Sequence, residues 1–172
     1  ANLDSEKAIS KAASLAAAEG TPKFQTFGKC AECHATQFDF WRKTPHARAY
    51  EVLVKVGAHT NKECLGCHSV GLADPEGYSE LHQIAQWMPA PGASPSPVAS
   101  PAPDLATWLA DLRDARSVEK ALEISRGAKK VHATVQCENC HLPVRDHPFG
   151  MDSNPVKVAK NTCLGCHTPA RA

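Results

Sequence analysis

Apolar residues form short stretches at helical spacing along this chain. One stretch predicts a helix over residues 80–88, because its apolar side chains fall on one helical face and His82 lies beside that face. The residues of the face are Leu81, Ile84, Ala85 and Met88. An alanine-rich stretch, residues 5–19, predicts a peripheral helix that stops at Gly20.

Cap residues predict four further helices. Residues 35–43 are expected to be helical, and Thr44 then caps a new helix that has Pro45 at its first position and ends at Gly57. His46 lies in the first turn of that helix, where a well-fixed backbone suits a metal ligand.

Two of these helices follow a segment of different composition. Asp104 is expected to cap one of them, through about Arg113, and Ser117 the other, through Arg126. Residues 89–103 contain only Pro, Ala, Gly, Ser and Val, which predicts a semi-extended surface insertion without packing residues.

The composition provides few large apolar side chains for a core. Aromatic residues make up 6% of its 172 residues, so the polypeptide alone would bury a thin core for its length. The net charge of +1 does not indicate nucleic-acid binding, and it produces no strong electric field that would steer a charged partner. No apolar stretch reaches the length of a membrane span.

The chain contains four copies of the sequence Cys-x-x-Cys-His. This is the attachment sequence for c-type haem, in which both thiols bond to the haem edge and the histidine reaches the iron. The copies predict four covalently bound haem c groups, and they use all eight cysteines: Cys30, Cys33 and His34; Cys64, Cys67 and His68; Cys137, Cys140 and His141; Cys163, Cys166 and His167. Zinc sites of four thiolates and a disulfide framework are disfavoured, since neither needs a histidine after every pair.

Four large macrocycles would then form the core. The predicted fold is mainly α with long loops and little or no β, a small multihaem cytochrome c wrapped around four covalently bound haems. Residues 1–20 are expected to be an N-terminal helical segment, and residues 21–172 a tetrahaem domain that contains the insertion. Haem is attached outside the cytoplasm, so we expect a removed secretory signal and a periplasmic or extracellular location.

Five histidines remain outside the four motifs as candidates for the second axial position of each iron. They are His46, His59, His82, His132 and His147. Imidazole suits haem iron, and methionine, the other ligand considered, occurs only as Met88 and Met151. His59 and His132 each stand five residues before a motif, which favours ligation of a neighbouring haem.

The chain resembles the tetrahaem cytochrome c-554 family. The residues that carry the resemblance are Phe27-Gly28, Trp41, Thr44 to Ala49, Cys64 to His68 with Gly71, Gly77-Tyr78, Val135 to His141, and Arg145-Asp146-His147. The resemblance implies that His46 ligates the third haem and His147 the first. In the family the second haem lacks a distal protein ligand, whereas His59, His82 and His132 are available here.

The fourth haem departs from the family pattern. In the family its distal histidine follows the fourth motif, but residues 168–172 here contain none. The fourth haem must therefore use an upstream histidine, with His132 as the candidate within the chain, use one from another molecule, or stay open.

Irons saturated by two imidazoles favour electron transfer to redox partner proteins or to an extracellular acceptor. The alternative is a subunit of a conductive filament, a homopolymer in which a histidine of one subunit ligates a haem of the next. An enzyme that reduces nitrogen oxides at an open haem is less favoured, and no residues with a catalytic arrangement stand out. We therefore expect an electron carrier and not an enzyme.

Overall fold

A computed structural model describes residues 23–87, 102–126, 128–143 and 158–169. The predicted helix over 5–19, residues 89–101 of the predicted insertion, and His147 lie outside the described residues. The division of the chain at residue 20 therefore stays a prediction.

The described ranges are mainly helical, which confirms the predicted class. Their helices are Thr26–Ala31 (α1), Ala35–Trp41 (α2), Ala49–Lys55 (α3), Lys62–His68 (α4), Ala102–Asp114 (α5), Val118–Ser125 (α6), Cys137–His141 (α7) and Lys160–Leu164 (α8). Short 3₁₀ turns at Pro45–Arg48 and Leu81–Gln83 precede α3 and the first strand.

The predicted helix over residues 80–88 is wrong. Its first part is the 3₁₀ turn, closed by reciprocal side-chain bonds between Glu80 and Gln83, and its end is a strand. The strand Ala85–Trp87 (β1) pairs antiparallel with Ala128–Val131 (β2). A nine-residue apolar pattern does not separate a helix from a buried strand, and here the distant partner strand decides.

The chain restarts at Thr44 as predicted, but the Thr44 side chain does not cap the new turn. The Thr44 hydroxyl donates back to the carbonyl oxygen of Trp41 at 2.7 Å, and a 3₁₀ turn with Pro45 at its start leads into α3. The following helix ends before Gly57, whose φ of +71° is a left-handed conformation that glycine adopts readily. His46 therefore lies in a turn that is held on both sides by helices.

The caps of the two later helices differ in outcome. The helix predicted from Asp104 begins two residues earlier, at Ala102. The Ser117 cap is confirmed, because its side chain accepts a hydrogen bond from the backbone nitrogen of Lys120.

An aromatic cluster between α1, α2 and α5 forms the centre of the described core. The Phe27 ring lies 4.9 Å from that of Trp41 between centroids, and the rings of Phe38 and Trp108 flank it. Such offset ring pairs add to the free energy gained from burying apolar area. The cluster fixes α1, and therefore the first Cys-x-x-Cys-His motif, against the rest of the molecule.

Candidate haem centre

Each Cys-x-x-Cys-His motif is formed on a helical turn. The backbone nitrogen of His34 donates to the carbonyl oxygen of Cys30 at 2.9 Å, and that of His167 to Cys163 at 2.8 Å. Residues four apart in a helix lie on the same face, so the first cysteine and the histidine of a motif face the same side. Motifs two and three lie wholly within α4 and α7.

The first and third motifs are in direct contact. The thiols of Cys30 and Cys137 are hydrogen-bonded to each other, and this bond together with burial raises the pKa of the Cys30 thiol. The same bond lowers the pKa of the Cys137 thiol. Two attachment points that are 107 positions apart in the sequence thus lie side by side.

The fourth motif continues this row from the other end of α7. Burial raises the pKa of the Cys140 thiol, and the charge of Cys163 on the neighbouring motif raises it further. Helix α7 contacts both α1 and α8. Three of the four attachment sites therefore follow one another through contacts of the third motif.

The histidine of the second motif is held by a backbone carbonyl. Its Nδ1 lies 2.6 Å from the carbonyl oxygen of Ala49, at the start of α3. A histidine that binds a metal commonly donates its other ring nitrogen in this way, which fixes the tautomer and orients the ring. With Nδ1 held in this way, Nε2 of His68 is the ring nitrogen that would bind the iron of an attached haem.

A mostly apolar cavity of about 400 Å³ opens beside the third motif. Its walls come from α2, with Phe40 and Trp41, from His46, and from the third motif with Cys137, Cys140 and His141. A haem ligated by two histidines needs an apolar recess with an imidazole on each side of the iron, and this cavity has His141 and His46 in its wall. The residues present fit the pairing that the resemblance implies for the third haem.

His46 also lies near the fourth motif. Its ring centroid is 6.0 Å from that of His167, with the two rings tilted by 58°. The turn at Pro45–Arg48 thus brings the third and fourth motifs to one place.

His59 carries the feature expected of a metal ligand. Its Nδ1 is buried, and in the part of the chain that the structure describes it has no hydrogen-bond partner. A buried polar atom without a partner is costly in free energy, and a bond to a metal ion is one way of removing that cost.

The remaining spare histidines differ sharply in exposure. His132 is 2% exposed, its Nδ1 lies 2.9 Å from the carbonyl oxygen of Val70, and burial lowers its pKa to about 4. It packs against the rings of Phe24 and Tyr78, close to the exit of the second motif. His82 is exposed on the 3₁₀ turn before β1.

Sequence reasoning missed two buried polar residues around the third motif. The side-chain oxygen of Gln136 accepts a hydrogen bond from the backbone nitrogen of Phe27, and the carboxylate of Glu138 accepts from those of Gln25 and Thr26. A signal was present in the sequence. The first variable position is apolar in the other three motifs, and Glu138 is the only charged residue there.

The comparison with protein families finds one match. Residues 29–88 match the family described as Cytochrome c554 and c-prime, which is 60 of the 172 residues. The matched segment contains the first two motifs and three of the spare histidines. The match supports a c-type cytochrome, hence haem c and electron transfer; such proteins are generally carriers and typically exported.

The wider comparisons add no relative. Neither the curated proteins nor the solved structures contain a match to this chain. Within the described residues, none of the helices combines the length and the apolar character that crossing a membrane requires.

Proposed function

We propose that this chain transfers electrons through four covalently attached haems, most of them ligated by two histidines. The observation that carries the proposal is that all four Cys-x-x-Cys-His motifs stand on helical turns, three of them in a contiguous row. The donor and the acceptor would be redox partner proteins, or an extracellular acceptor, in the periplasm or outside the cell.

The spare histidines divide into four ligands and one surplus residue. His46 is proposed for the third haem from the cavity that it shares with His141, and His147 for the first haem from the family resemblance. His59, with its unpartnered nitrogen, and the buried His132 are proposed for the second and fourth haems. His82 is the surplus histidine, because it is exposed.

Bound haem supplies a one-electron redox centre at each motif. At each haem ligated by two histidines, the chain contributes both imidazoles, which exclude small molecules from the axial positions. The contact between Cys30 and Cys137 sets a short spacing between neighbouring attachment points, and Phe40 and Trp41 give the third site an apolar wall.

The intact mass of the exported protein tests the haem count. We expect the mass of the polypeptide plus four haems, and one haem fewer in each variant that replaces both cysteines of one motif by alanine. A wild-type mass without haem would overturn the proposal, and three or fewer haems would overturn the tetrahaem count.

Carbon monoxide binding to the dithionite-reduced protein tests the ligation. An electron carrier with every iron saturated should show no change in visible absorption. Saturable binding at one haem in four would reveal an open iron and would favour the enzyme alternative, with small-molecule chemistry such as nitrogen-oxide reduction.

A filament subunit is the second candidate. It is favoured by the exposure of His82 and of the fourth motif, where Leu164 is 51% exposed and Cys163 is also exposed. The surplus imidazole of one molecule could ligate a haem of the next. Negative-stain microscopy should then show filaments that are absent in His82→Ala, whereas uniform single particles in the wild type would exclude this candidate.

A further inference from the structure

The first variable position of the third motif holds a buried carboxylate. The corresponding residues of the first and second motifs, Ala31 and Leu65, are fully buried and apolar, and Leu164 of the fourth motif is half exposed. Glu138 is 7% exposed. Since burying a carboxylate is costly unless it is paired or hydrogen-bonded, its presence here calls for a specific role.

Both oxygens of this carboxylate accept hydrogen bonds from the segment that begins α1. Oε1 accepts from the backbone nitrogen of Gln25 and Oε2 from that of Thr26, both at 2.9 Å. Burial raises the pKa of Glu138, and the two bonds from Gln25 and Thr26 lower it because they stabilise the ionised carboxylate. The buried carboxylate of the third motif therefore holds the start of the first motif's helix through two hydrogen bonds.

The segment that is bonded to Glu138 has a strained backbone. Thr26 has a φ of +61°, a conformation that β-branched residues rarely adopt. Gln136 adds a third bond at the next residue, from the backbone nitrogen of Phe27 at 2.8 Å. The strain is held in place by these bonds to side chains of the third motif.

The charge of this carboxylate acts on both attachment points. The bond between the two thiols raises the pKa of Cys30 and lowers that of Cys137, and the charge of Glu138 acts on both in the upward direction as a smaller cause. After burial and the two backbone bonds, the charge of Lys130 of β2 is a further influence on Glu138, and it lowers the pKa of that carboxyl group. A negative charge that disfavours the thiolates in this way also favours the more positive, oxidised iron of a haem attached through the same thiols.

We propose that Glu138 is a positioning and potential-setting residue for the haems of the first and third motifs: it holds α1 against α7, and its buried charge lowers the reduction potentials of these two haems relative to the other two. The inference rests on the proposed function, because it requires haem at both motifs. The relative potentials of the haems decide where electrons reside among them, and the number of haems alone does not determine these potentials.

The test compares two glutamate substitutions in the haem-loaded protein by spectroelectrochemical titration. Glu138→Gln should raise the potentials of two of the four components and leave the other two in place. Glu32→Gln is the matched control, since Glu32 belongs to the first motif but its side chain is 55% exposed and pairs with Lys29 at the surface. Water and salt screen that charge, so its removal should shift the potentials much less.

Glu138→Asp distinguishes the effect of the charge from the effect of the side-chain length, because it keeps the carboxylate and shortens the side chain. Its two sensitive components should stay closer to the wild-type potentials than those of Glu138→Gln. The inference is overturned if Glu138→Gln shifts the potentials no more than Glu32→Gln does, or if all four components move equally. A wild-type protein that lacks haem by intact mass would instead overturn the proposed function.

A measurement on the wild type makes the test independent of whether a variant folds. In the reduced, haem-loaded protein, the amide hydrogens of Gln25 and Thr26 should exchange with solvent far more slowly than that of Glu76. Glu76 is exposed, and its amide donates to the carboxylate of Asp74 at 3.0 Å, which makes it the matched comparison. Equal exchange rates at these amides would show that the buried hydrogen bonds to Glu138 are absent, and would overturn the inference.

Discussion

At the scale of single residues, the surroundings of each imidazole separate candidate ligands that look equivalent in the sequence. His59 and His82 are both spare histidines near the second motif. Nδ1 of His59 is buried without a hydrogen-bond partner in the described part of the chain, while His82 is exposed in its turn. Burial without a polar partner is tolerated when a metal ion completes the bonding, so the two residues are expected to behave differently.

Replacing His59 by alanine should open one iron. In the dithionite-reduced protein, His59→Ala is expected to bind carbon monoxide at one haem in four, because a haem that loses its second imidazole offers an axial position. Visible absorption during a carbon monoxide titration measures this directly, and the oxidised protein should gain a high-spin signal.

The matched control is His82→Ala, which removes the same side chain from an exposed position. It should leave carbon monoxide binding unchanged in the isolated molecule. If His59→Ala binds no more carbon monoxide than the wild type, His59 is not a ligand, and its buried nitrogen must have another explanation.

At the scale of elements, one arginine joins the end of α2 to the end of α5. Arg42 follows α2, and its side chain is 3% exposed. It donates hydrogen bonds to the carbonyl oxygens of Leu112, Arg113 and Ala115. The last carbonyl groups of a helix lack partners within the helix, so Arg42 supplies donors from outside.

Arg42→Met should therefore destabilise the packing of α2 against α5. We expect the free energy of unfolding to fall by about 2–4 kcal/mol, because hydrogen bonds from a charged donor are lost and buried carbonyl groups are left without donors. Urea unfolding of the haem-loaded protein, followed by circular dichroism, measures the change.

Lys43→Met provides the comparison for this substitution. Lys43 pairs with Asp39, as Arg42 does, but its side chain is 58% exposed. The loss should be below about 1 kcal/mol, as for exposed ion pairs in general. Equal losses for the two variants would mean that Arg42 contributes through its ion pair with Asp39 and not through the end of α5.

At the scale of the whole molecule, large apolar side chains are exposed beside the attachment motifs. Phe40, on the wall of the cavity, is 74% exposed, Leu142, directly after the third motif, is 62% exposed, and Leu164 lies within the fourth. Exposed apolar groups at these positions are the surface that an attached macrocycle would cover. Full burial of one such side chain stabilises a fold by about 1.5–3 kcal/mol.

The haem-free protein should therefore be less stable than the haem-loaded one. A variant with alanine at all eight cysteines is expected to bind a hydrophobic dye such as anilinonaphthalene sulfonate and to unfold at lower urea concentration. The haem-loaded protein should bind little dye. Equal dye binding by both forms would mean that the haems do not cover these side chains.

Local chemistry was predictable from the sequence alone. Two thiols and a histidine within five residues need only one helical turn to face the same side, so the prediction of four haem attachment sites requires no knowledge of distant contacts. The Ser117 cap was predictable for the same reason, because its partner, Lys120, is three residues away.

Contacts between distant segments were decided by the tertiary structure. The pairing of Ala85 with Val131 turned a predicted helix into a strand, and the contact of Cys30 with Cys137 set two motifs side by side. Sequence periodicity describes one element at a time and carries no information on which elements meet. The buried Glu138 has its role only through that meeting, since its partners lie more than a hundred positions earlier in the chain.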